Sequence, residues 1–509
     1  MLGPQKSRGL DRPTLTSVDA LVPANHFYRH LDAALDLSFV RDWVKDRYAD
    51  RGRPSIDPAV FFRFHLIMFF ESIRSERQLV ETASLNLAHR WYLGYNLDEP
   101  LPDRTSLIKI RHRLGLDTFR RFFEHIVDLC EADGLIRGRE VLVDATKVPG
   151  NASKDSLVPR LKEVVDDHLV ELFDDGHRAE SGSEGDAQSA ASTADAPPLL
   201  HPEARPELAQ ETAKRWDVLE ECRLDPDRPA PSAYERLSSR KVSRTDPDAT
   251  AMSMRDGRTA LGYQVHYLVD GGTARIILHC LVTPGDVMEN QPFLDQFRRT
   301  LFRRKLHPKR VIADTTYGTA EIIGAVEEAG IAMYTPLPDW DRPYRYFPTS
   351  RFTYDAEEDV YHCPNNEILR LRWADEKRQL KQYRARPAAC KACPLREQCT
   401  ANKQGRIVYR SCHAELLDRV RARHGTPAYE RAMWKRSIWL EGLFAEAKQW
   451  HGLHRFRLRR LANVNIQGVM IAAGQNLKRW FRATGWGRRS FPGGAVAAFP
   501  FLLVPLPWS

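Results

Sequence analysis

Hydrophobic positions recur with helical spacing through the first part of the chain. A long apolar run extends from Val60 to Ile73, and apolar residues at every fourth position predict one helix from Ser75 to Tyr92. Two further helices are predicted from Arg104 to Leu114 and from Phe119 to Cys130. The pattern therefore predicts an all-helical domain over residues 27–138.

Short hydrophobic runs replace this spacing after residue 139. Two of them flank Gly271 and Gly272, which predicts a hairpin. In chain order, strands are predicted over 141–143, 262–269, 274–282, 310–313 and 331–335, and helices over 156–174, 291–304, 321–329 and 428–450. Five strands alternating with helices predict an α/β core.

Composition marks the remaining boundaries. Residues 175–235 are rich in Gly, Ser, Pro and acidic side chains, which is typical of a disordered insertion. The predicted division is a tail over 1–26, the helical domain over 27–138, a core over 139–340 and 405–484, the acidic insertion over 175–235, a Cys-rich insertion over 341–404, and an apolar Pro-rich tail over 485–509.

Charge is spread unevenly over the 509 residues. The chain has 76 Lys and Arg against 67 Asp and Glu, a formal net charge of +9. Residues 401–490 hold 19 basic and 5 acidic side chains, whereas residues 161–200 hold 2 and 10. The basic region indicates a polyanionic partner such as nucleic acid, although a solvated basic surface would give the same count.

Neither a membrane nor a secreted location is indicated. Every long apolar run is interrupted before the about 20 residues that a membrane helix needs. Residues 1–12 lack the apolar segment of a secretory signal. We expect a cytoplasmic protein with no membrane partner.

Four of the eight cysteines are close together in the sequence. Cys363, Cys390, Cys393 and Cys399 follow the pattern C-x26-C-x2-C-x5-C. In a cytosolic protein this spacing favours one structural Zn²⁺ held by four thiolates over four reduced thiols without metal. His362 and Cys412 are alternative ligands.

Three carboxylates are candidates for catalysis. Asp144 and Asp314 each follow a short hydrophobic run, so both are expected just past strand ends, although a single such Asp is more often a cap or turn residue. Glu441 lies among apolar residues of the 428–450 helix, and a carboxylate in such surroundings needs a partner, for which a metal ion is one candidate.

The same helix carries further polar residues. Lys448 is seven residues after Glu441 and shares its face, and Arg436 can reach that face. Glu446 is about 140° around the helix from Glu441, so we expect it to face solvent.

Basic residues also mark candidate DNA contacts. A tight turn followed by a basic helix fits a helix-turn-helix-like module, with Arg104, Lys109, Arg111 and Arg113 expected on one exposed face. A small helical bundle with a basic surface is the alternative. After Lys448 the sequence continues into a basic strip of His451, His454, Arg455, Arg457, Arg459 and Arg460.

Several of these segments together resemble a known family. VLVDATKVPGNAS around Asp144, RVIADTTYGTAEII around Asp314 and RSIWLEGLFAEAKQWHGLHRFRLRR around Glu441 are similar to the DDE-type transposases of bacterial insertion sequences, in the RNase H-like superfamily. GRPSIDPAVFFRFHLIMFFESIRSERQLVETASLNLAHRWYLGY resembles the helical domain that precedes the core in one group, which also has a Cys-rich insertion. The resemblance covers about residues 25–155 and 240–480.

The chain departs from the family at one signature. The family has Arg four positions and Tyr seven positions before the Glu, where this chain has Ser437 and Trp434. Arg436 is displaced by one position, whereas the spacing from Glu441 to Lys448 fits.

The resemblance implies an RNase H-like core with a five-stranded mixed sheet. It implies that Asp144, Asp314 and Glu441 bind two Mg²⁺ (or Mn²⁺) ions that catalyse cleavage at the element's ends and joining of the freed 3′-OH to target DNA. Double-stranded DNA is then the partner, bound by the terminal-repeat contacts of Arg436, Lys448, Arg455, Arg457 and Arg459. Because two ends must be paired, we expect at least a homodimer on DNA, in a bacterial cytoplasm and associated with the nucleoid.

Two alternatives remain open from the sequence. One is an RNase H-like nuclease that cuts DNA without strand transfer. The other is a zinc-containing DNA-binding protein that derives from a transposase and has lost catalysis. The intact set of three carboxylates argues against the second.

Overall fold

A computed structural model of the chain describes residues 15–49, 51, 55–159, 241–254, 256–337, 346–375 and 379–485. The acidic insertion over 175–235, most of the helix predicted over 156–174, and the apolar tail beyond residue 485 lie outside the described residues.

The N-terminal part is helical, as predicted. Its helices are α1 (Val18–Leu21), α2 (Phe27–Ala34), α3 (Phe39–Val44), α4 (Pro58–Phe70), α5 (Glu76–Leu85), α6 (Leu87–Leu93) and α7 (Arg104–Ala132). Asp57 caps α4 by accepting a hydrogen bond from Ala59 N, and Pro58 occupies the first turn, where a missing N–H costs nothing. Large apolar side chains of α4 and α7 form the centre of this region.

One predicted helix in this region is wrong. The single helix predicted over 75–92 is two helices, because Asn86 has an extended backbone and its side chain accepts hydrogen bonds from Ala88 N and His89 N to start α6. The two helices predicted on either side of residue 115 are present within the range of α7, because Gly115 between them has a non-helical backbone with φ at +63°. A positive φ costs a glycine little, so the chain kinks there between the two helical segments.

The core contains a six-stranded mixed sheet. In chain order the first eight strands are β1 (Glu140–Pro149), β2 (Leu157–Pro159), β3 (Lys241–Ser243), β4 (Thr250–Ser253), β5 (Thr259–Asp270), β6 (Ile277–Pro284), β7 (Arg310–Ile312) and β8 (Ala332–Tyr334). The sheet order is β4-β5-β1-β7-β8, and β6 also pairs with β5, whereas β2 and β3 pair with each other. β1 is antiparallel to β5 and parallel to β7.

The five predicted strands are therefore present in this sheet, and β4 is an addition to it. β2 and β3 were not predicted, and β2 lies where the helix predicted over 156–174 was expected to begin, so that start is wrong. β4 pairs with the first residues of β5, and β6 pairs with the remainder of the same β5 edge. The α/β, RNase H-like fold class is confirmed.

Helices cover this sheet. The helices of this part of the chain are α8 (Phe293–Arg304), α9 (Ala320–Glu328), α10 (Pro387–Lys391), α11 (Arg396–Cys399), α12 (Ala414–Arg421), α13 (Pro427–Trp450) and α14 (Leu461–Ala483). Of these, α8, α9, α13 and α14 contact the sheet, α12 packs on α9, and α10 and α11 belong to the Cys-rich segment. α14 is buried along most of its length and packs against α7, α4 and β6. Asn465 accepts from Val282 N (2.9 Å) and donates to Val282 O (2.8 Å), and Asn476 makes the same pair of bonds to Ile277. These amides satisfy the backbone groups of the β6 edge.

The Cys-rich segment has its own sheet. Its strands are β9 (Thr353–Asp355), β10 (Val360–His362), β11 (Ile368–Asp375), β12 (Leu380–Arg384) and β13 (Ile407–Ser411), all antiparallel in the order β13-β12-β11-β10-β9. A small apolar cluster around Leu369 and Tyr383 lies beneath it. In the described part of the chain, no helix is long and apolar enough to cross a membrane.

Candidate active site

Asp144 lies inside β1 and not at its end, which corrects the prediction that it follows a short strand. The strand continues five residues further, to Pro149. Because side chains alternate along a strand, Glu140, Asp144 and Thr146 lie on one face of the sheet. Asp144 is buried, with 8% of the residue exposed.

Asp314 lies two residues after the end of β7. The register pairs Leu142 of β1 with Ile312 of β7 in a parallel arrangement, so Asp144 and Asp314 are each two residues beyond a paired position. The Oδ1 atom of Asp314 accepts a hydrogen bond from Thr316 N at 2.9 Å, which caps the short helical turn that follows. The adjacent parallel strands thus bring the two carboxylates together.

A third carboxylate, which the sequence analysis did not single out, joins them. Glu289 lies in the loop between β6 and α8, and one carboxylate oxygen from each of Asp144, Glu289 and Asp314 lies within 4.8 Å of the others. Oxygen ligands at this separation are the donor set that Mg²⁺ and Mn²⁺ prefer. The three residues present therefore fit a divalent cation.

The site holds three acidic side chains and one basic side chain, Arg436. Arg436 Nη2 lies 3.1 Å from Asp144 Oδ2 and 3.5 Å from Asp314 Oδ2. Burial raises the pKa of Asp144 to about 6, against the attraction of Arg436 and with the help of the Asp314 charge. Burial, together with Asp314 and Asp144, raises the pKa of Glu289 to about 7. The single positive charge of Arg436 does not neutralise three carboxylates, so the site favours binding of an additional cation.

Glu441 lies outside this group of three. Its side chain is exposed on α13, whereas Leu440, Leu443 and Phe444 are the buried residues around it. The prediction that apolar residues enclose the Glu441 carboxylate is wrong, because those residues point to the other side of the helix. Lys448, two turns further on, donates from Nζ to Thr146 Oγ1 at 2.6 Å.

The prediction that Glu446 faces solvent is also wrong. Its carboxylate accepts hydrogen bonds from Lys478 Nζ (2.7 Å), Arg479 Nη2 (2.7 Å) and Gln475 Nε2 (3.3 Å) of α14. Burial raises the pKa of Glu446, but hydrogen bonding to His451 and the Arg479 and Lys478 contacts outweigh burial and hold that pKa well below its usual range. Glu446 joins α13 to α14 and is a structural residue.

Two of the predicted DNA-binding arginines are internal ion-pair residues. Arg111 is 5% exposed and contacts the Glu76 carboxylate, and Arg457 contacts the same carboxylate. This shared partner connects α5, α7 and the basic strip, and it removes Arg111 from the expected exposed face.

The other three predicted DNA-binding residues of α7, Arg104, Lys109 and Arg113, are exposed but do not share one face. At 100° per residue, Lys109 and Arg113 lie about 40° apart, whereas Arg104 and Arg113 lie about 180° apart. Arg113 also packs over the Tyr48 ring, with its Cζ atom 4.9 Å from the ring centroid. Lys109 and Arg113 are the pair available to one ligand.

Arg455 and Arg459 follow α13 and are both exposed. Arg455 Nε donates to Gly150 O at 3.2 Å, and Arg459 Nε donates to Asn151 O at 3.0 Å. These bonds hold the two arginines against the loop that follows β1, so the basic strip and Asp144 are joined through one stretch of chain.

The four cysteines line one small cavity of the second sheet. Cys363 Sγ accepts hydrogen bonds from Asn365 N (3.4 Å) and Glu367 N (3.3 Å), and Cys390 Sγ accepts one from Arg406 N (3.4 Å). Among the described residues, three ligand atoms gathered within 4.8 Å are found at the carboxylates and not at the cysteines. Zinc binding therefore stays a prediction.

The sheet order and the paired carboxylates on neighbouring parallel strands define an RNase H-like nucleotidyl-transfer core. Comparison with family models gives three matches: a Transposase domain (DUF772) over residues 16–113, and Transposase DDE domains over residues 240–410 and 362–481. The chain belongs to the DDE-type transposases of insertion sequences, which confirms the resemblance. No curated protein and no solved structure matches it.

The matched ranges contain most of the candidate site. Glu289 and Asp314 fall in the first DDE match, and Arg436, Glu441 and Lys448 in the second. Asp144 lies outside all three ranges, so its assignment depends on the geometry beside Asp314.

Proposed function

We propose that the protein binds the terminal inverted repeats of its element as double-stranded DNA, cleaves phosphodiester bonds at their ends, and joins the 3′-OH ends to target DNA. The observation that carries this proposal is the convergence of three carboxylates from separate parts of the sequence. Like charges at this distance repel unless a cation lies between them, so the convergence has a cost that metal binding offsets.

Asp144 and Asp314 would hold the metal ions jointly, with Glu289 beside them. Two Mg²⁺ or Mn²⁺ ions supply an activated water and stabilise the leaving 3′ oxygen when they are bound. Asp144 on β1 and Asp314 just beyond β7 would hold the ions from two neighbouring parts of the sheet.

Glu441 is proposed to complete the site from α13. Lys435 contacts Glu140, and Lys448 contacts Thr146, so α13 runs along β1 in the same direction. Counted from the contact between Lys435 and Glu140, Glu441 lies six residues or about 9 Å along the helix. Counted from the same contact, Asp144 lies four residues or about 13 Å along the strand, so the two positions differ by about 4 Å. A carboxylate at that level can turn toward a metal at Asp144.

Arg436 and Lys448 are proposed to bind phosphates. Arg436 pairs with Asp144 and Asp314, and within the described residues its Nε has no hydrogen-bond partner. When metal ions bind the aspartates, Arg436 is free to contact the scissile strand. Lys109, Arg113, Arg455 and Arg459 are exposed and would add salt-sensitive backbone contacts.

A structural zinc ion is proposed at Cys363, Cys390, Cys393 and Cys399. At 2.3 Å from zinc, tetrahedral sulfurs are about 3.8 Å apart, so the four side chains must turn further into their common cavity when the ion binds. We also propose that two copies pair the DNA ends, and that the protein works in the bacterial cytoplasm at the nucleoid.

The test is cleavage of inverted-repeat DNA in Mg²⁺ with matched carboxylate variants. We expect D314N and E441Q to lose cleavage while DNA binding is retained, because phosphate contacts come from other residues. E430Q, at an exposed acid in the first turn of the same helix, is the control and should leave cleavage intact. If E289Q abolishes cleavage and E441Q does not, Glu289 is the third catalytic acid and the assignment of Glu441 is wrong.

Strand transfer needs its own measurement. With precut ends, the wild-type protein should join the 3′-OH to a target plasmid. Cleavage without joining would support the nuclease alternative, and binding without cleavage would support the catalytically silent one.

A further inference from the structure

Glu289 lies on a loop, unlike the two aspartates beside it. The loop connects Pro284, the last residue of β6, to Phe293, the first residue of α8. Asp144 is part of β1, and Asp314 caps the short helical turn that follows β7. A loop carboxylate binds a metal ion well only if neighbouring residues hold it in place, so the contacts of this loop decide what Glu289 can do.

The first half of this loop is bound to β4 and β5. Gln264 of β5 is buried, and its Nε2 donates to Val287 O at 2.7 Å. Thr250 of β4 donates from Oγ1 to Asp286 Oδ1 at 2.8 Å and accepts from Asp286 N at 2.8 Å. These bonds fix the loop up to Val287, so they end before they reach Glu289.

Asn290, the residue after Glu289, binds the second half of the loop to the turn that holds Asp314. Its Nδ2 donates to Thr316 O at 3.0 Å. The N–H of the same Thr316 donates to Asp314 Oδ1 at 2.9 Å. Thr316 is therefore bonded to Asn290 through its carbonyl and to the Asp314 carboxylate through its amide. One residue thus connects the Glu289 loop with the second aspartate of the site.

The orientation of the Asn290 amide follows from this partner. A carbonyl oxygen only accepts, so the atom that faces Thr316 O is the nitrogen and the other atom is Oδ1. Oδ1 is buried, and among the described residues it has no hydrogen-bond partner. A buried acceptor without a donor has a cost, which a water ligand of a nearby cation would remove by donating to it. Asn290 therefore offers a donor to the Asp314 turn and an acceptor for the surroundings of a cation.

We propose that Asn290 is a positioning residue for the cation site, because its bond to Thr316 O holds the Glu289 carboxylate in the group of three and so sets the affinity for a divalent cation. The three carboxylates repel one another before a cation binds, and the bonds of its loop hold Glu289 against this repulsion. Without the Asn290 bond, cation binding also has to order the loop, which lowers the affinity. This inference rests on the proposed function, since the cation is the one proposed for cleavage.

The test is titration of the purified protein with Mn²⁺ in the absence of DNA, followed by the EPR signal of unbound Mn²⁺. N290A should bind Mn²⁺ about 10- to 100-fold more weakly than the wild type, the usual effect of removing a residue that orients a metal ligand. N290D keeps the shape of the side chain but replaces the donor by an acceptor and adds a negative charge. It should also bind Mn²⁺ more weakly, whereas a purely electrostatic role predicts tighter binding.

Two further variants show through which residue Asn290 acts. E289Q should weaken Mn²⁺ binding by itself, and N290A should add little to that loss, because Asn290 acts through Glu289. Q291A is the control in the same loop. Gln291 Oε1 accepts from Met288 N at 2.8 Å, a bond that stays within the loop, so Q291A should bind Mn²⁺ as the wild type does.

Stability and cleavage separate positioning from general damage. Asn290 is half-buried, so urea unfolding in EDTA should give each variant a transition near that of the wild type. In DNA cleavage, N290A should need more Mg²⁺ for half of its maximal rate and should approach the wild-type rate at saturation, because only the cation affinity is lowered. If N290A does not fold, N290D decides the question, since the two roles predict opposite changes in its affinity.

The outcomes distinguish this inference from the proposed function. If the wild-type protein binds Mn²⁺ and cleaves DNA but N290A keeps the wild-type affinity, or if the losses of N290A and E289Q add, Asn290 does not position Glu289. Tighter binding by N290D would assign the effect to charge, and an equal loss in Q291A would assign it to the order of the whole loop, so either result also overturns the inference. If the wild-type protein binds no divalent cation, the proposed function is overturned and this inference with it.

Discussion

Replacing Asp144 by Asn should stabilise the metal-free protein. The folded-state pKa of Asp144 is about 6 and its ordinary value is 3.8, because burial and the Asp314 charge disfavour the ionised carboxylate. This difference corresponds to about 3 kcal/mol of unfavourable free energy at pH 8, which Asn does not carry. Arg436 keeps its contact with Asp314 in the variant.

The pH dependence follows from the sign of the shift. For an acid whose pKa is raised on folding, the penalty is complete above the folded pKa and disappears below the unfolded pKa. The advantage of D144N should therefore be about 3 kcal/mol at pH 8, about half of that at pH 5, and about 0.4 kcal/mol at pH 3.8, below which it disappears.

The assay is urea unfolding in EDTA at pH 8 and pH 5, repeated with Mg²⁺ at pH 8. Mg²⁺ at 100 times its Kd should stabilise the wild-type protein by about 2.7 kcal/mol and D144N by far less. D98N, at an exposed aspartate, should stay within about 0.5 kcal/mol of the wild type. If D144N is less stable than the wild type at pH 8 in EDTA, the carboxylate is not under electrostatic strain and the reasoning fails.

Three further predictions follow from other parts of the molecule. E76A should cost about 3–5 kcal/mol in unfolding free energy, because it leaves Arg111 and Arg457 without their shared carboxylate. In metal analysis of purified protein, C393S should lose about one zinc per chain, whereas C412S, at an exposed cysteine away from the cavity, should keep it. Neutralising Lys109 and Arg113 together should reduce the slope of log K against log salt by about 2, and an unchanged slope would place DNA recognition elsewhere.

Strand and helix positions in the core could be predicted because they depend on local patterns. The apolar runs around Val311 and Leu142 had to be buried, and the hairpin glycines fixed the β5–β6 connection. β4 was missed because its four residues alternate between buried and exposed and contain no long apolar run. Asp144 was predicted to follow the strand because the residues of β1 after it include polar side chains, a pattern that is typical of a loop.

The carboxylates show where sequence reasoning stops. Asp144 and Asp314 follow apolar runs, but the same rule applied to β6 would also have selected Asp286 and Glu289, and only tertiary contacts separate these two. Asp286 accepts a hydrogen bond from Thr250 Oγ1 (2.8 Å), whereas Glu289 lies beside Asp144. Helix period correctly separated Glu441 from Glu446 but could not show that Arg479, 33 residues later, covers Glu446.

Ion pairs between residues distant in sequence also reduce the positive charge that the basic region over 401–490 can offer to DNA. Part of its positive charge is neutralised internally, since Arg423 pairs with Glu327, Arg457 with Glu76 and Arg479 with Glu446. Charge counted along the sequence therefore overstates what DNA can contact. Arg436 differs from these arginines because its partners are the carboxylates proposed to bind metal. Cations at Asp144 and Asp314 would release its guanidinium from these carboxylates, so metal binding would increase the positive charge offered to DNA at the proposed site of cleavage.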